Sequence, residues 1–72
     1  MIRVPVVSSN LSEVGYDAAT GLLEIAFMSG GVYQYFAVPS SIHEGLMAAA
    51  SVGRYFDLNV KKAGYAVQKM SA

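Results

Sequence analysis

The fold is decided by the stretch LLEIAFMSGGVYQYF, residues 22–36. In its first half Leu23, Ile25 and Phe27 alternate onto one side of an extended chain, which is typical of a half-buried strand. The Ser-Gly-Gly that follows is typical of a hairpin turn, and residues 32–38 return as a second strand. The stretch therefore predicts an antiparallel hairpin with one apolar face.

The length of the turn decides on which face Tyr33 and Tyr35 lie. A two-residue turn pairs Phe27 with Val32 and places both tyrosines opposite the apolar face. A three-residue turn pairs Phe27 with Tyr33 and places them on that face, because a slip of one residue moves every side chain across the sheet. The two-residue turn is favoured, since it keeps three apolar residues of the second strand on the apolar face: Val32, Phe36 and Val38.

The segment before the hairpin adds a strand and an extended lead-in. Residues 11–17 predict a strand in which Ser12, Val14 and Tyr16 share one side. Residues 1–9 begin extended, and Pro5 suits a sheet edge because it has no N–H to donate to a ladder.

The segment after the hairpin predicts a helix. Ser41 and Glu44 match a capping box, and Gly53 marks the predicted helix end. Residues 54–62 have apolar anchors for a short second helix, and residues 63–72 are predicted to be a tail. The chain is thus expected to be one α+β domain, residues 1–72 with a core at about 7–65: a three-stranded antiparallel meander followed by helix packed on one sheet face.

Composition excludes several classes of site. The 72 residues include no cysteine and one histidine, so a disulfide, a thiolate nucleophile and a His/Cys metal site have no residues to form them. No cofactor fingerprint or catalytic motif is present, and we expect no enzyme activity. With 54% hydrophobic and only 14% charged residues, the chain predicts a buried interface with a second copy or with a larger protein.

The charges are unevenly distributed although the net charge is zero. Residues 1–53 carry one cation against four acidic side chains, and residues 54–72 carry four cations against one. A basic C-terminal third can form a local anion-binding face. The sequence shows neither an apolar run of about 18 residues nor the features of a signal peptide, which predicts a cytoplasmic protein with no membrane partner.

Four pieces of sequence, in order, resemble the KTSC domain family: VSSNLSEVGYD, then F-x-x-G-G-x-Y-x-Y, then VP-S before a helix, then S-x-G-R-Y-F. The resemblance covers roughly residues 7–65. The family is named for a segment at the C-terminus of some lysyl-tRNA synthetases and also occurs as free-standing bacterial and phage proteins. The resemblance implies the free-standing form, and RNA binding is suggested by the synthetase context.

The first functional hypothesis is a non-catalytic binding module for RNA or a nucleotide. Aromatic side chains on a sheet can stack bases, and basic side chains can meet phosphates. The predicted site residues are Tyr16, Tyr33, Tyr35, Ser51, Gly53, Arg54, Lys61 and Lys62, with Ser8, Ser9 and Asn10 as secondary residues. A helix end at Gly53 would disfavour anions there unless a second helix follows. The alternative hypothesis is a protein-interaction or homodimerisation module with no nucleic-acid role; a nucleotide pocket at a dimer seam would join the two.

Overall fold

The computed structural model describes residues 1–71 and shows an α+β fold, as predicted. One antiparallel sheet contains its strands in chain order: β1 (Arg3–Pro5), β2 (Leu11–Asp17), β3 (Leu22–Phe27), β4 (Val32–Tyr35) and β5 (Val67–Ser71). Helices α1 (Ser40–Ala48) and α2 (Val52–Asn59) and a 3₁₀ turn (Lys61–Ala63) connect β4 to β5.

Two edge strands extend the predicted three-stranded meander. Strand β1 forms one edge, as expected from Pro5, and pairs with β2. Strand β5 forms the other edge beside β4, so the prediction of a C-terminal tail was wrong. The sequence of β5 shows no apolar alternation that would have predicted a strand. An edge strand can form without it, because backbone pairing with its one neighbour largely holds it in place.

The register of the β3–β4 hairpin differs from the favoured prediction. Ile25 pairs with Tyr33 and Leu23 with Tyr35, across a three-residue turn at residues 28–30 in which Gly30 has φ of +105°. Both tyrosines therefore lie on the apolar face. The favoured register was wrong because it assumed that alternation continues to residue 38, whereas β4 ends at Tyr35. The three-residue alternative was also wrong in its pairing, because it placed the turn one residue later and paired Phe27 with Tyr33.

A turn after β4 and a bulge in β2 also change which side chains reach the core. Ala37 adopts φ of +58°, and the chain then buries Val38, which is 1% exposed. In β2 the register shifts between Leu11 and Glu13, so Leu11, and not Ser12, joins Val14 on the apolar face. The bulge is favourable because it buries the Leu11 side chain, whereas a regular strand would place the Ser12 hydroxyl there and bury less apolar surface.

Both helix boundaries predicted around α1 were wrong. Helix α1 begins at Ser40 with Pro39 as its N-cap, and no side chain caps it, so the capping box at Ser41 is not formed. Gly53 does not end α1; it lies in the first turn of α2, whose N-cap Ser51 accepts a hydrogen bond from the Arg54 backbone N–H over 3.4 Å.

The helices cover one face of the sheet, and the core lies between them. Its members are fully or almost fully buried: Leu11, Val14, Leu23, Ile25, Tyr35, Val38, Leu46, Val52, Phe56 and Val60. We call this side the covered face and the opposite side the open face. No helix within residues 1–71 is long and apolar enough to cross a membrane.

A charged network lies on the open face. Arg3 Nε donates to Glu13 Oε1 and Arg3 Nη1 to Glu24 Oε2, each over 3.0 Å. Gln34 Nε2 donates to Glu24 Oε1 over 2.8 Å. The Arg3 side chain crosses Gly15 on β2 to reach β3, and a Cβ at Gly15 would lie 3.0 Å from Arg3 Cγ. The hydrogen bond from Arg3 to Glu24 thereby connects β1 to β3 across β2.

Candidate functional site

A cleft of about 320 Å³ opens at the turn end of the β3–β4 hairpin, where the sheet meets α2. We call it the aromatic cleft. Four aromatic and four polar residues line it: Phe27, Tyr33, Tyr35, Phe56, Asn10, Ser29, Asp57 and Lys61. A concave site with an aromatic wall and a few polar groups is the usual form of a small-ligand pocket.

Edge-to-face packing holds the aromatic side chains of the cleft in place. Ring centroids lie 5.5 Å apart between Phe27 and Tyr33, 5.5 Å between Phe27 and Phe56, and 5.6 Å between Tyr35 and Phe56. Phe56 is 2% exposed and anchors the set in the core, whereas Tyr33 is only half-buried. The cleft is therefore preformed, and part of the Tyr33 side chain is accessible.

Tyr35 contributes a hydroxyl without a protein partner. The residue is 7% exposed and lines the cleft, and its hydroxyl has no hydrogen bond to any residue that the structure describes. Burial and the neighbouring Tyr33 raise the pKa of Tyr35, so its hydroxyl is protonated at neutral pH. No side-chain oxygen or nitrogen within residues 1–70 is both enclosed and unpartnered, so this hydroxyl has access to the exterior, and Tyr35 lines the cleft.

Charged side chains surround the aromatic cleft. Asp57 and Lys61 line it, and Asp57 Oδ2 lies 3.2 Å from Lys62 Nζ, at the surface. Lys69 Nζ lies 5.9 Å from the centroid of the Tyr33 ring. Sequence analysis missed Lys69 because its position beside Tyr33 depends on β5, which was predicted to be a tail.

A second, polar cavity of about 380 Å³ adjoins the aromatic cleft and shares Asn10 with it. It brings together two groups of predicted residues that are some forty positions apart in the chain: Ser8, Ser9 and Asn10 with Ser51, Gly53 and Arg54. They meet because Gly53 has no side chain. A Cβ there would overlap Asn10 Oδ1 and lie 3.1 Å from Ser8 Oγ.

The polar cavity lies at the start of a helix and not at a helix end. Arg54 and Gly53 belong to the first turn of α2, so the helix dipole favours anions there, the reverse of the sequence-based expectation. Ser8 Oγ itself is engaged locally, since it donates to Asn10 Oδ1 over 2.9 Å and accepts from the Asn10 backbone N–H over 3.3 Å.

Tyr16 lies away from both cavities. Its hydroxyl donates to the Val38 carbonyl over 2.6 Å, and its ring stacks on His43 at a centroid distance of 4.5 Å. These contacts give Tyr16 a structural role. No group of three or more His, Asp or Glu side chains in the described chain is placed to hold a metal ion.

The sheet and the two helices define a small α+β domain, and comparison with known proteins identifies its family. The KTSC domain model matches residues 7–65, and the chain belongs to that family. A crystal structure of a KTSC domain protein from Yersinia pestis matches with a TM-score of 0.89 at 41% identity, covering 97% of both chains.

Sequence relatives include both small and large proteins. A protein of Stutzerimonas stutzeri is 42% identical over 65 residues, which are 90% of this chain and 92% of that protein. The lysine–tRNA ligase of Nostoc punctiforme is 42% identical over 53 residues, 74% of this chain but only 9% of the ligase. The domain is thus homologous to a short segment of that enzyme.

Proposed function

We propose that this domain is a non-catalytic module that binds single-stranded RNA or a nucleotide, with one base in the aromatic cleft. The observation that carries the proposal is the cleft that aromatic side chains line, where Tyr35 is nine-tenths buried but its accessible hydroxyl has no partner among the described residues. Tyrosine presents an apolar ring and a polar tip, so an accessible hydroxyl beside an aromatic wall favours a ligand with a flat apolar body and a polar edge. A nucleobase has that character.

The base is proposed to contact Tyr33, because that ring is half-buried and backed by Phe27. Stacking on one aromatic side chain contributes about 1–3 kcal/mol per base. The sequence-based hypothesis had Tyr16, Tyr33 and Tyr35 stack bases together. The proposal now assigns stacking to Tyr33 alone, because Tyr35 is buried and Tyr16 lies away from the cleft.

The phosphates are proposed to lie outside the cleft. Asp57 repels phosphates from the cleft, whereas the exposed Lys61 in its lining and Lys69 beside Tyr33 attract them to its outer side. Beyond Asn10, Arg54 and the first turn of α2 extend the favourable path for a second phosphate. The relationship to a segment of lysine–tRNA ligase, an enzyme that acts on tRNA, also supports an RNA ligand.

The test is sedimentation velocity together with fluorescence anisotropy, using a mixed-sequence RNA of about eight nucleotides. We expect the wild-type protein to bind, with an affinity that falls between about 50 mM and about 200 mM salt. The Tyr33→Ala variant should bind about tenfold or more weakly because the stacking surface is lost. Tyr33→Phe keeps the ring and is the matched control, which should bind like the wild type.

Two results would contradict the proposal. Absence of binding at low salt would remove RNA as the ligand, and equal loss in Tyr33→Ala and Tyr33→Phe would remove the stacking contact. The salt dependence should also become shallower in the double variant Lys61→Ala/Lys69→Ala, by about one unit of slope for each lost phosphate contact.

Self-association is the second proposed function. Strand β5 has a neighbour on one side only within the described sheet, and Val67 and Met70 on it are about half exposed. An edge of this kind can pair with a strand of a second copy. Sedimentation without RNA distinguishes the two proposals, because a dimer whose mass is indifferent to RNA supports pairing, whereas a monomer that gains mass only with RNA supports nucleic-acid binding.

A further inference from the structure

The aromatic cleft contains an acidic side chain that phosphate binding does not explain. Asp57 lies on α2, one helical turn after Gly53, and lines the cleft together with Tyr35. A carboxylate accepts hydrogen bonds and donates none at neutral pH. It therefore selects a ligand edge that presents N–H groups.

The carboxylate of Asp57 is available to such a ligand. Its contact with Lys62 uses Oδ2, at 3.2 Å, and the two side chains are 42% and 66% exposed. An ion pair with that exposure is weak because water screens it. Each carboxylate oxygen has two lone pairs, so the contact leaves acceptor capacity on both oxygens.

The four RNA bases differ in what they can offer to a carboxylate. On its Watson–Crick edge guanine presents two adjacent donors, N1–H and the N2 amino group, which match the two oxygens of a carboxylate. Adenine and cytosine present one amino group beside an acceptor nitrogen, and uracil presents a single N–H between two carbonyl oxygens. Two parallel charge-assisted bonds are stronger and more directional than one.

Two further groups of the cleft complement the remaining atom of that edge. Guanine carries the acceptor O6 next to N1–H. Asn10 Oδ1 already accepts from Ser8 Oγ, and the amide NH₂ of Asn10 can donate to O6. The Tyr35 hydroxyl is protonated and can donate as well.

We infer that the aromatic cleft selects guanine over the other bases, with Asp57 accepting from N1–H and N2–H. This inference rests on the proposed function, since it names the base that the RNA-binding cleft takes. The same edge occurs in guanine nucleotides and in single-stranded RNA, and the test uses RNA.

The experiment measures anisotropy with a labelled, mostly uridine RNA of about six nucleotides that carries one variable central residue. Guanine at that position should bind about tenfold or more tightly than adenine, cytosine or uracil. Inosine lacks the N2 amino group, and the affinity for the inosine RNA should fall between those for the guanine and adenine RNAs.

In Asp57→Asn, which keeps the side-chain size, the preference for guanine should disappear. Lys62→Met is the matched control and should retain it, because it leaves the carboxylate in place. Circular dichroism checks that both variants are folded.

Each result has one meaning. Binding of all four RNAs with equal affinity overturns the guanine inference and leaves the proposed RNA binding intact. A guanine preference that persists in Asp57→Asn overturns the role of Asp57. Failure of every RNA to bind the wild-type protein overturns the proposed RNA binding, and the guanine inference with it.

Discussion

The two faces of the sheet are built from alternate residues of the same strands, yet different forces hold them. On the covered face Leu23, Ile25 and Tyr35 are packed under the helices and almost fully buried. On the open face Glu24, which lies between Leu23 and Ile25 in the chain, accepts hydrogen bonds from Arg3 and Gln34 in a partly buried position. Hydrophobic burial dominates the first face and partly exposed charge pairs the second.

The difference shows where a binding site can form in so small a domain. The open face satisfies its polar groups within the sheet, through the network of Arg3, Glu13, Glu24 and Gln34. The covered face is complete except near the hairpin turn, where α2 leaves Tyr33 half-buried and the Tyr35 hydroxyl unpartnered among the described residues. The cleft is thus the place where the hydrophobic core reaches the surface.

The largest expected effect is on the covered face. Phe56→Ala should lower the free energy of unfolding by about 3–5 kcal/mol, because it leaves a cavity among Phe27 and Tyr35. Leu58→Ala on the same helix is the control: Leu58 is 54% exposed, and its loss should change stability by about 0.5 kcal/mol or less. Urea denaturation measures both. Similar losses of unfolding free energy in the two variants would mean that burial of Phe56 does not anchor α2 to the core.

A smaller effect separates the two tyrosine hydroxyls of the covered face. Tyr16→Phe removes a hydrogen bond to the Val38 carbonyl and should lower the free energy of unfolding by about 1 kcal/mol. Tyr35→Phe removes a hydroxyl without a protein partner and should leave stability unchanged within about 0.5 kcal/mol, while it weakens binding of the guanine-containing RNA. Thermal unfolding with and without RNA tests both variants. A stability loss in Tyr35→Phe equal to that in Tyr16→Phe would assign the Tyr35 hydroxyl to the fold and not to a ligand.

The smallest effect is expected on the open face. Arg3→Met keeps much of the aliphatic stem over Gly15 but removes both ion pairs, and it should lower stability by about 1 kcal/mol or less, since the pairs are partly exposed. The loss should shrink as salt is added, because ions screen exposed pairs. Urea midpoints at low and high salt measure this. A loss as large as that of Phe56→Ala would show that the open face contributes as much stability as the core.

Local sequence patterns were sufficient for part of the fold. The α+β class, the β3–β4 hairpin and the common face of Leu23, Ile25 and Phe27 follow from alternation and turn residues, and the structure confirms them. Gly53 shows the limit of such patterns. A glycine after an apolar stripe is typical of a helix end, but here its missing side chain serves the close approach of Asn10, which lies some forty residues earlier in the chain.

The candidate site divides in the same way. The sequence marked several polar, aromatic and basic residues as site candidates, but nothing in it indicated that they lie close together: Ser8–Asn10, Ser51–Arg54, Tyr33, Tyr35 and Lys61. Their assembly into two adjoining cavities, and the addition of Lys69 and Asp57, came from the structure.

By itself, then, the sequence determined the elements whose signals are local: the alternation along β3 and the glycine of the hairpin turn. Only the tertiary structure decided the register that covers Tyr35, the helix start at Ser51 and the pairing of β5 with β4. The physical reason is the distance along the chain between the residues that interact. A register, a close approach and an edge pairing are fixed by contacts between residues distant in the chain, and those contacts leave no period in the sequence.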